Sequence, residues 1–136
     1  MRRWGSGWGG GMAIRVVAEI RRIGNTVRWS WAGWCAAWVS EKSLRQWSVA
    51  QVLSVALALA LPLGTAERAL IIALGFLVLA AELFNTAIET VVNDISPQIR
   101  EAARKAKDCA SAGVALVALA AAGAWVVVLW GLLGVG

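Results

Sequence analysis

The 136-residue chain contains no histidine and only two cysteines, Cys35 and Cys109. It has no Cys-x-x-Cys pair, and without histidine the usual zinc-binding constellations are excluded. We therefore expect both cysteines to be free, small apolar side chains. The glycine-rich start of the chain is not followed by Gly-Lys-Ser/Thr, which excludes a phosphate-binding loop there.

Charged residues are also scarce: they make up 15% of the chain, against 60% hydrophobic residues and a mean hydropathy of +0.69. A soluble domain of this size could not bury so much apolar surface, so we expect an all-α integral membrane protein. The net charge of +5 is compatible with nucleic-acid binding. However, the basic residues flank apolar runs, as expected for contact with anionic lipid head groups. We predict no nucleic-acid partner.

The chain divides into a short tail and one long domain. Residues 1–12 are rich in glycine and lack a continuous apolar run, so we expect a flexible tail rather than a cleaved signal peptide. Residues 13–136 are then a single membrane-embedded domain, which opens with an amphipathic surface helix over about 13–40. Three tryptophans share one face of that helix, either as an interfacial anchor or as a wall of a substrate site. They are Trp31, Trp34 and Trp38.

Three long apolar segments follow, and each is long enough to cross about 30 Å of hydrocarbon. The predicted transmembrane helices span about 44–66, 69–93 and 106–133. Pro62 and Gly64 are expected to end the first of them, and the short link predicts an antiparallel hairpin. Basic residues cluster before the first span and between the second and third, which marks those sides as cytoplasmic. We expect a protein of the inner (cytoplasmic) membrane, with its N-terminus inside and its C-terminus outside.

The second span carries the most informative residues, which are Glu82, Asn85 and Glu89. At 100° per residue, Asn85 lies about 60° and Glu89 about 20° from Glu82 around the helix axis, so all three share one face. An ionisable residue inside a membrane costs roughly 2.5–3.5 kcal/mol on insertion scales, which favours a functional role. The alternative is a structural one, in which polar side chains hold helices together.

Further polar residues are expected at the same cytoplasmic depth. Carboxylate and amide oxygens suit Mg²⁺, and nearby cations suit the phosphates of a nucleotide. A remaining carboxylate can accept a proton from a hydroxyl, so the set is typical of phosphoryl transfer. These additional residues are Glu41, Arg45, Lys107, Asp108 and Ser111.

Three stretches resemble the prokaryotic integral-membrane diacylglycerol kinase family. They are Glu82-Leu-Phe-Asn-Thr-Ala-Ile-Glu89 with Val91-Val92, Ala106-Lys-Asp-Cys-Ala-Ser-Ala-Gly-Val114, and the Trp31–Gln46 segment. The resemblance implies a homotrimer with composite active sites between protomers. Each protomer would have three transmembrane helices and an N-terminal surface helix. It also implies phosphorylation of diacylglycerol to phosphatidic acid with ATP and Mg²⁺.

The resemblance also assigns roles residue by residue. Glu82 is implied to be the general base, and Glu41 and Glu89 the magnesium ligands that bridge to ATP. Further nucleotide-site residues would be Arg22, Trp29, Asn85, Lys107 and Asp108. The lipid site would be lined by Arg22, Trp31, Ser43, Leu44, Arg45, Gln46, Trp47, Glu82 and Ser111.

Three departures from the family pattern stand beside these assignments. Asn93 follows Val-Val where the family usually has Asp, although Asp94 comes next. Trp47 replaces a glutamate familiar in the Gram-negative branch, and the loop 96–104 differs, although Arg100 could meet phosphate. Two alternatives stay open: an undecaprenol kinase of the same family, and a non-enzymatic, ion-conducting membrane oligomer with Glu82 as the carrier.

Overall fold

The computed structural model describes residues 8–95 and 100–134, with side chains from residue 15 onward. Helices account for almost all of this part, so the all-α class is confirmed. They are α1 (Trp8–Ser40), α2 (Lys42–Ala60), α3 (Thr65–Ile95) and α4 (Glu101–Leu132). The chain divides into two compact units, Met1–Ala36 and Ala37–Gly136. The first contains most of α1, and the second contains the end of α1 together with α2, α3 and α4.

Helix α1 begins at Trp8, within the segment 1–12 that the sequence predicts as a tail, and residues 1–7 lie outside the described part, so the tail stays a prediction. Glycine costs a helix only about 1 kcal/mol per residue, and a long helix that is already formed can offset it. The helix also continues through Asn25 without a break. On its exposed surface, Arg22 Nε lies 3.1 Å from Glu19 Oε2. Its role as an amphipathic surface helix stays a prediction.

Helix α2 ends at Ala60, six residues before the predicted end of the first span. Leu61 is extended, with φ −83° and ψ 151°, as is usual for a residue that precedes proline. Pro62 has no N–H to continue the helical ladder. The connection to α3 is therefore short, and α3 begins at Thr65, four residues before the predicted start of the second span.

Two charged residues at the start of α3 satisfy the helix ends at this turn. Glu67 Oε2 accepts a hydrogen bond of 2.8 Å from the backbone N–H of Gly64, as in one half of a capping box. The Arg68 guanidinium donates to the carbonyl oxygen of Ala58 at 2.9 Å and reaches those of Leu61 and Leu63. A cation at a helix C-terminus is also favoured by the helix dipole.

Helix α3 packs against both α2 and α4. The α2–α3 contacts run antiparallel, because Ser43 bonds to Glu82 at one end and Arg68 bonds to Ala58 at the other. A small apolar core near the α2–α3 turn includes Val128 from the far end of α4. The start of α2, the end of α3 and the start of α4 therefore lie at the same end of the bundle.

Two of the helices in the described part, α3 and α4, are long and apolar enough to cross a membrane. Only 22% and 11% of their most apolar windows are buried within the chain, so most of this apolar surface faces outward. Helix α2 has 19 residues, which corresponds to a length of about 28 Å. It begins with Lys42, Arg45 and Gln46, and its role as a third span stays a prediction.

Candidate active site at the polar end of the bundle

Glu82 lies in the second half of α3 and is only 5% exposed. Its Oε2 atom accepts a hydrogen bond of 3.2 Å from the Ser43 hydroxyl, which comes from the first turn of α2. No described cation lies within ion-pair distance of this carboxylate. A buried carboxylate without a charged partner is costly unless it is hydrogen-bonded. The hydrogen bond from Ser43 of α2 therefore offsets part of the cost of burying Glu82.

Asn85 and Glu89 continue the same face of α3 beyond Glu82. The Asn85 amide donates a hydrogen bond of 3.2 Å from Nδ2 to Glu89 Oε1. Its other amide atom, Oδ1, is buried and has no hydrogen-bond partner among the described residues. The end of α3 therefore presents two carboxylates and an unused amide oxygen within two helical turns.

Glu41 belongs to the same end of the bundle. It is the residue before α2 begins, and its half-buried side chain makes no capping hydrogen bond with the helix in the described structure. Because α2 and α3 run antiparallel and Ser43 lies opposite Glu82, Glu41 lies roughly level with the turn of α3 that holds Asn85. Arg45 does not act on these acids, since it donates to the carbonyl oxygens of Trp38 and Val39 at 2.7 and 3.2 Å.

The start of α4 separates the two residues that the sequence placed side by side. Lys107 reaches α3, where its Nζ donates to Asn93 Oδ1 at 2.7 Å. Asp108 is exposed and lines a different groove of about 330 Å³. All of that groove's lining residues come from α4: Glu101, Arg104, Lys105, Asp108, Cys109 and Ala112. Within one chain, Lys107 therefore joins the polar end of α3, whereas Asp108 does not.

The remaining predicted residues are described by the unit and the helix to which they belong. Arg22, Trp29 and Trp31 belong to the first compact unit and are exposed there. Leu44 is fully buried, so it packs the interior of a single chain. Ser111 is exposed on α4, and Gln46 lies with Arg45 in an open groove at the start of α2. The lipid-site role of these residues stays a prediction.

A second polar feature lies deeper between the helices and was not predicted from the sequence. Gln51 is 7% exposed and donates from Nε2 to the carbonyl oxygen of Ile72 at 3.1 Å. The indole N–H of Trp125 donates to Ser54 Oγ at 2.9 Å and so joins α4 directly to α2. These residues line a cavity of about 250 Å³, together with Trp47. A glutamine inside an otherwise apolar run was the available signal.

Comparison of the sequence with known protein families identifies the family of this chain. The family model for prokaryotic diacylglycerol kinase matches residues 28–129. The chain belongs to the prokaryotic diacylglycerol kinase family. Family membership makes it a lipid kinase, and the match includes every predicted site residue except Arg22.

Individual relatives agree with the family match. The diacylglycerol kinase of Escherichia coli strain K12 is 38% identical over 109 residues, which cover 80% of this chain and 89% of the relative. That of Pseudomonas aeruginosa is 34% identical over 112 residues, covering 82% and 91%. That of Helicobacter pylori is 32% identical over 93 residues, covering 68% and 73%. This chain is similar to these kinases over most of their length as well as its own.

The polar end of α3 carries oxygen atoms of the kind that bind a divalent cation. Among the described residues, no group of three histidine, cysteine or acidic side chains forms a complete metal site. Magnesium is often held by only one or two carboxylates together with substrate phosphates. Glu89, Glu41 and the unused Oδ1 of Asn85 are hard oxygen donors of this kind, so the donor set fits magnesium.

Proposed function

We propose that this chain phosphorylates diacylglycerol to phosphatidic acid, with ATP as the phosphate donor, at the cytoplasmic face of the inner membrane. The observation that supports this most directly is the buried carboxylate of Glu82. It lies in a membrane-type helix, has a hydroxyl group at one oxygen, and has the Asn85–Glu89 pair on the next turns. The names of the family and of its relatives support diacylglycerol as the substrate.

In this proposal Glu82 is the general base. The lipid hydroxyl donates a hydrogen bond to the carboxylate and transfers its proton to Glu82 as the oxygen attacks the γ-phosphorus. The new O–P bond forms while the bond between the γ-phosphorus and the β–γ bridging oxygen breaks, and ADP leaves. Phosphoryl transfer is catalysed mainly by positioning and charge stabilisation, so a single buried base with few competing partners suits the reaction.

The remaining polar residues would hold the nucleotide. Glu41 and Glu89 are proposed as the magnesium ligands, and a bound Mg²⁺ would neutralise charge on the β- and γ-phosphates. Asn85 holds Glu89 through its Nδ2 bond, and Lys107 provides a cation at the same end of the bundle. Trp29, Arg22 and Asp108 are proposed nucleotide contacts from other parts of the chain.

A homotrimer would account for the residues that one chain leaves apart. Asp108 lies on a groove that α4 alone lines, and the apolar windows of α3 and α4 are mostly unburied within the chain. Neighbouring protomers would cover part of this surface and bring Asp108 to the polar end of another chain's α3. We propose three spans per protomer, formed by α2, α3 and α4, with a cytoplasmic N-terminus and an outer C-terminus.

The test is phosphoryl transfer by the purified protein in mixed micelles that contain one lipid alcohol at a time. We expect ³²P from [γ-³²P]ATP to appear in phosphatidic acid when diacylglycerol is present, and to depend on Mg²⁺. A strong preference for undecaprenol would instead identify the other lipid kinase of this family. Transfer to neither lipid, combined with proton passage in liposomes, would overturn the proposal in favour of an ion-conducting oligomer.

A further inference from the structure

The hydroxyl group of Ser43 lies against the carboxylate that we assign as the base. We propose that Ser43 is a positioning residue, which fixes the orientation of the Glu82 carboxylate for the attack of the lipid hydroxyl. This inference rests on the proposed function, because it gives Ser43 a role only if Glu82 is the base. It replaces the broader expectation that Ser43 merely lines the lipid site.

The hydrogen bond from Ser43 reaches one of the two carboxylate oxygens of Glu82. Ser43 Oγ donates to Oε2, so the other carboxylate oxygen, Oε1, is the one that we assign to the lipid hydroxyl. A carboxylate that is bound at one oxygen cannot rotate freely about its last torsion, so Oε1 is held in a defined direction. The acceptor alcohol of the lipid then meets an oxygen whose position is already set, which reduces the entropy cost of reaching the reactive geometry.

The position of Ser43 in the chain makes this restraint firm. It is the second residue of α2, directly after the Glu41–Lys42 start of the helix, and the adjacent Leu44 is fully buried. Arg45 on the same turn is engaged with backbone carbonyl oxygens and so does not compete as a partner of Glu82. The orientation of the buried acid therefore depends on a neutral hydroxyl rather than on a salt bridge.

The length of the bond is consistent with this role. At 3.2 Å it exceeds the usual 2.7–2.8 Å of an O–H···O hydrogen bond. Catalytic hydrogen bonds are often long before substrate binds and shorten in the reacting complex.

The experiment compares Ser43→Ala and Ser43→Thr with Ser48→Ala as the matched control. Ser48 is also a partly buried serine of α2, but its hydroxyl bonds to the carbonyl oxygen of Leu44 within the same helix. For Ser43→Ala we expect about a tenfold fall in kcat, with KM for both substrates within twofold, since the lost bond acts in the transition state. Ser43→Thr keeps the hydroxyl and should recover kcat to within about threefold, and Ser48→Ala should match the wild type.

A double-mutant cycle separates positioning from a general structural effect. Glu82→Asp shortens the acid and removes its contact with Ser43, so adding Ser43→Ala to it should lower kcat by less than twofold. An unchanged kcat for Ser43→Ala, or a rise in the lipid KM alone, would overturn the inference and leave the proposed function intact. A wild-type protein that transfers phosphate to no lipid alcohol would instead overturn the proposed function.

Discussion

Gly75 lies where the side chain of Gln51 crosses from α2 to the backbone of α3. A Cβ atom added at Gly75 would overlap the amide group of Gln51. That amide is the flexible end of a side chain, so it can move away, but it would then lose its 3.1 Å hydrogen bond to the Ile72 carbonyl oxygen. We predict that Gly75→Ala lowers the free energy of unfolding by the amount that this hydrogen bond contributes.

The magnitude follows from the surroundings of Gln51, which is 7% exposed. Hydrogen bonds between membrane helices average about 0.6 kcal/mol and reach about 1.7 kcal/mol, and a buried polar group left unpaired costs about 1–3 kcal/mol. Replacing glycine by alanine also raises helix propensity by about 1 kcal/mol, which a control must remove. Gly123→Ala provides that control, because a Cβ there meets nothing within 4 Å. We expect Gly75→Ala to be about 1–2 kcal/mol less stable than Gly123→Ala.

The assay is reversible unfolding in mixed micelles with increasing SDS, followed by the fluorescence of the nine tryptophans. In a Gln51→Ala background the amide is absent, so Gly75→Ala should then behave like Gly123→Ala. Equal stability of Gly75→Ala and Gly123→Ala in the wild-type background would refute the close approach of Gln51 to α3.

Two further predictions concern nucleotide binding. Glu89→Gln should raise KM for MgATP by about tenfold and increase the Mg²⁺ concentration needed for half-maximal rate, because a neutral amide is a weaker magnesium ligand than a carboxylate; an unchanged Mg²⁺ titration would contradict this assignment. Asn93→Asp should pair a carboxylate with Lys107 in place of the present 2.7 Å contact with an amide oxygen. Because exposed ion pairs are worth about 0–1 kcal/mol, we expect KM for ATP to rise by up to about fivefold at constant kcat, and an unchanged KM would argue against a phosphate role for Lys107.

The polar end of the bundle could be predicted from the sequence because its signals are local. Glu82, Asn85 and Glu89 share a face by helical periodicity alone, and Pro62 with Gly64 marks the turn that makes α2 and α3 antiparallel. Those two facts are enough to expect the start of α2 near the polar part of α3. In the structure, the hydrogen bond between Ser43 and Glu82 joins the start of α2 to the polar part of α3.

Contacts that depend on the exact register between helices could not be predicted. The Gln51–Ile72 and Trp125–Ser54 bonds require the relative rotation and offset of two helices, which periodicity does not supply. Lys107 and Asp108 were both expected in the nucleotide site, and 100° of helical rotation separates their side chains, so within one chain only Lys107 reaches α3. Helix bounds also shifted, since α1 already includes residues 8–12 and α4 begins at Glu101 rather than near 106.

The central claim is that a buried acid on α3 accepts the proton of a lipid alcohol. Its most direct test is diacylglycerol-dependent phosphoryl transfer by Glu82→Gln, measured beside MgATP binding and beside Glu67→Gln. The control makes the same change on the same helix, where a glutamine oxygen can still accept the bond from the Gly64 N–H. We predict that Glu82→Gln loses at least about 100-fold in kcat while it still binds MgATP, and that Glu67→Gln stays near wild type. Near-normal turnover by Glu82→Gln would contradict the account.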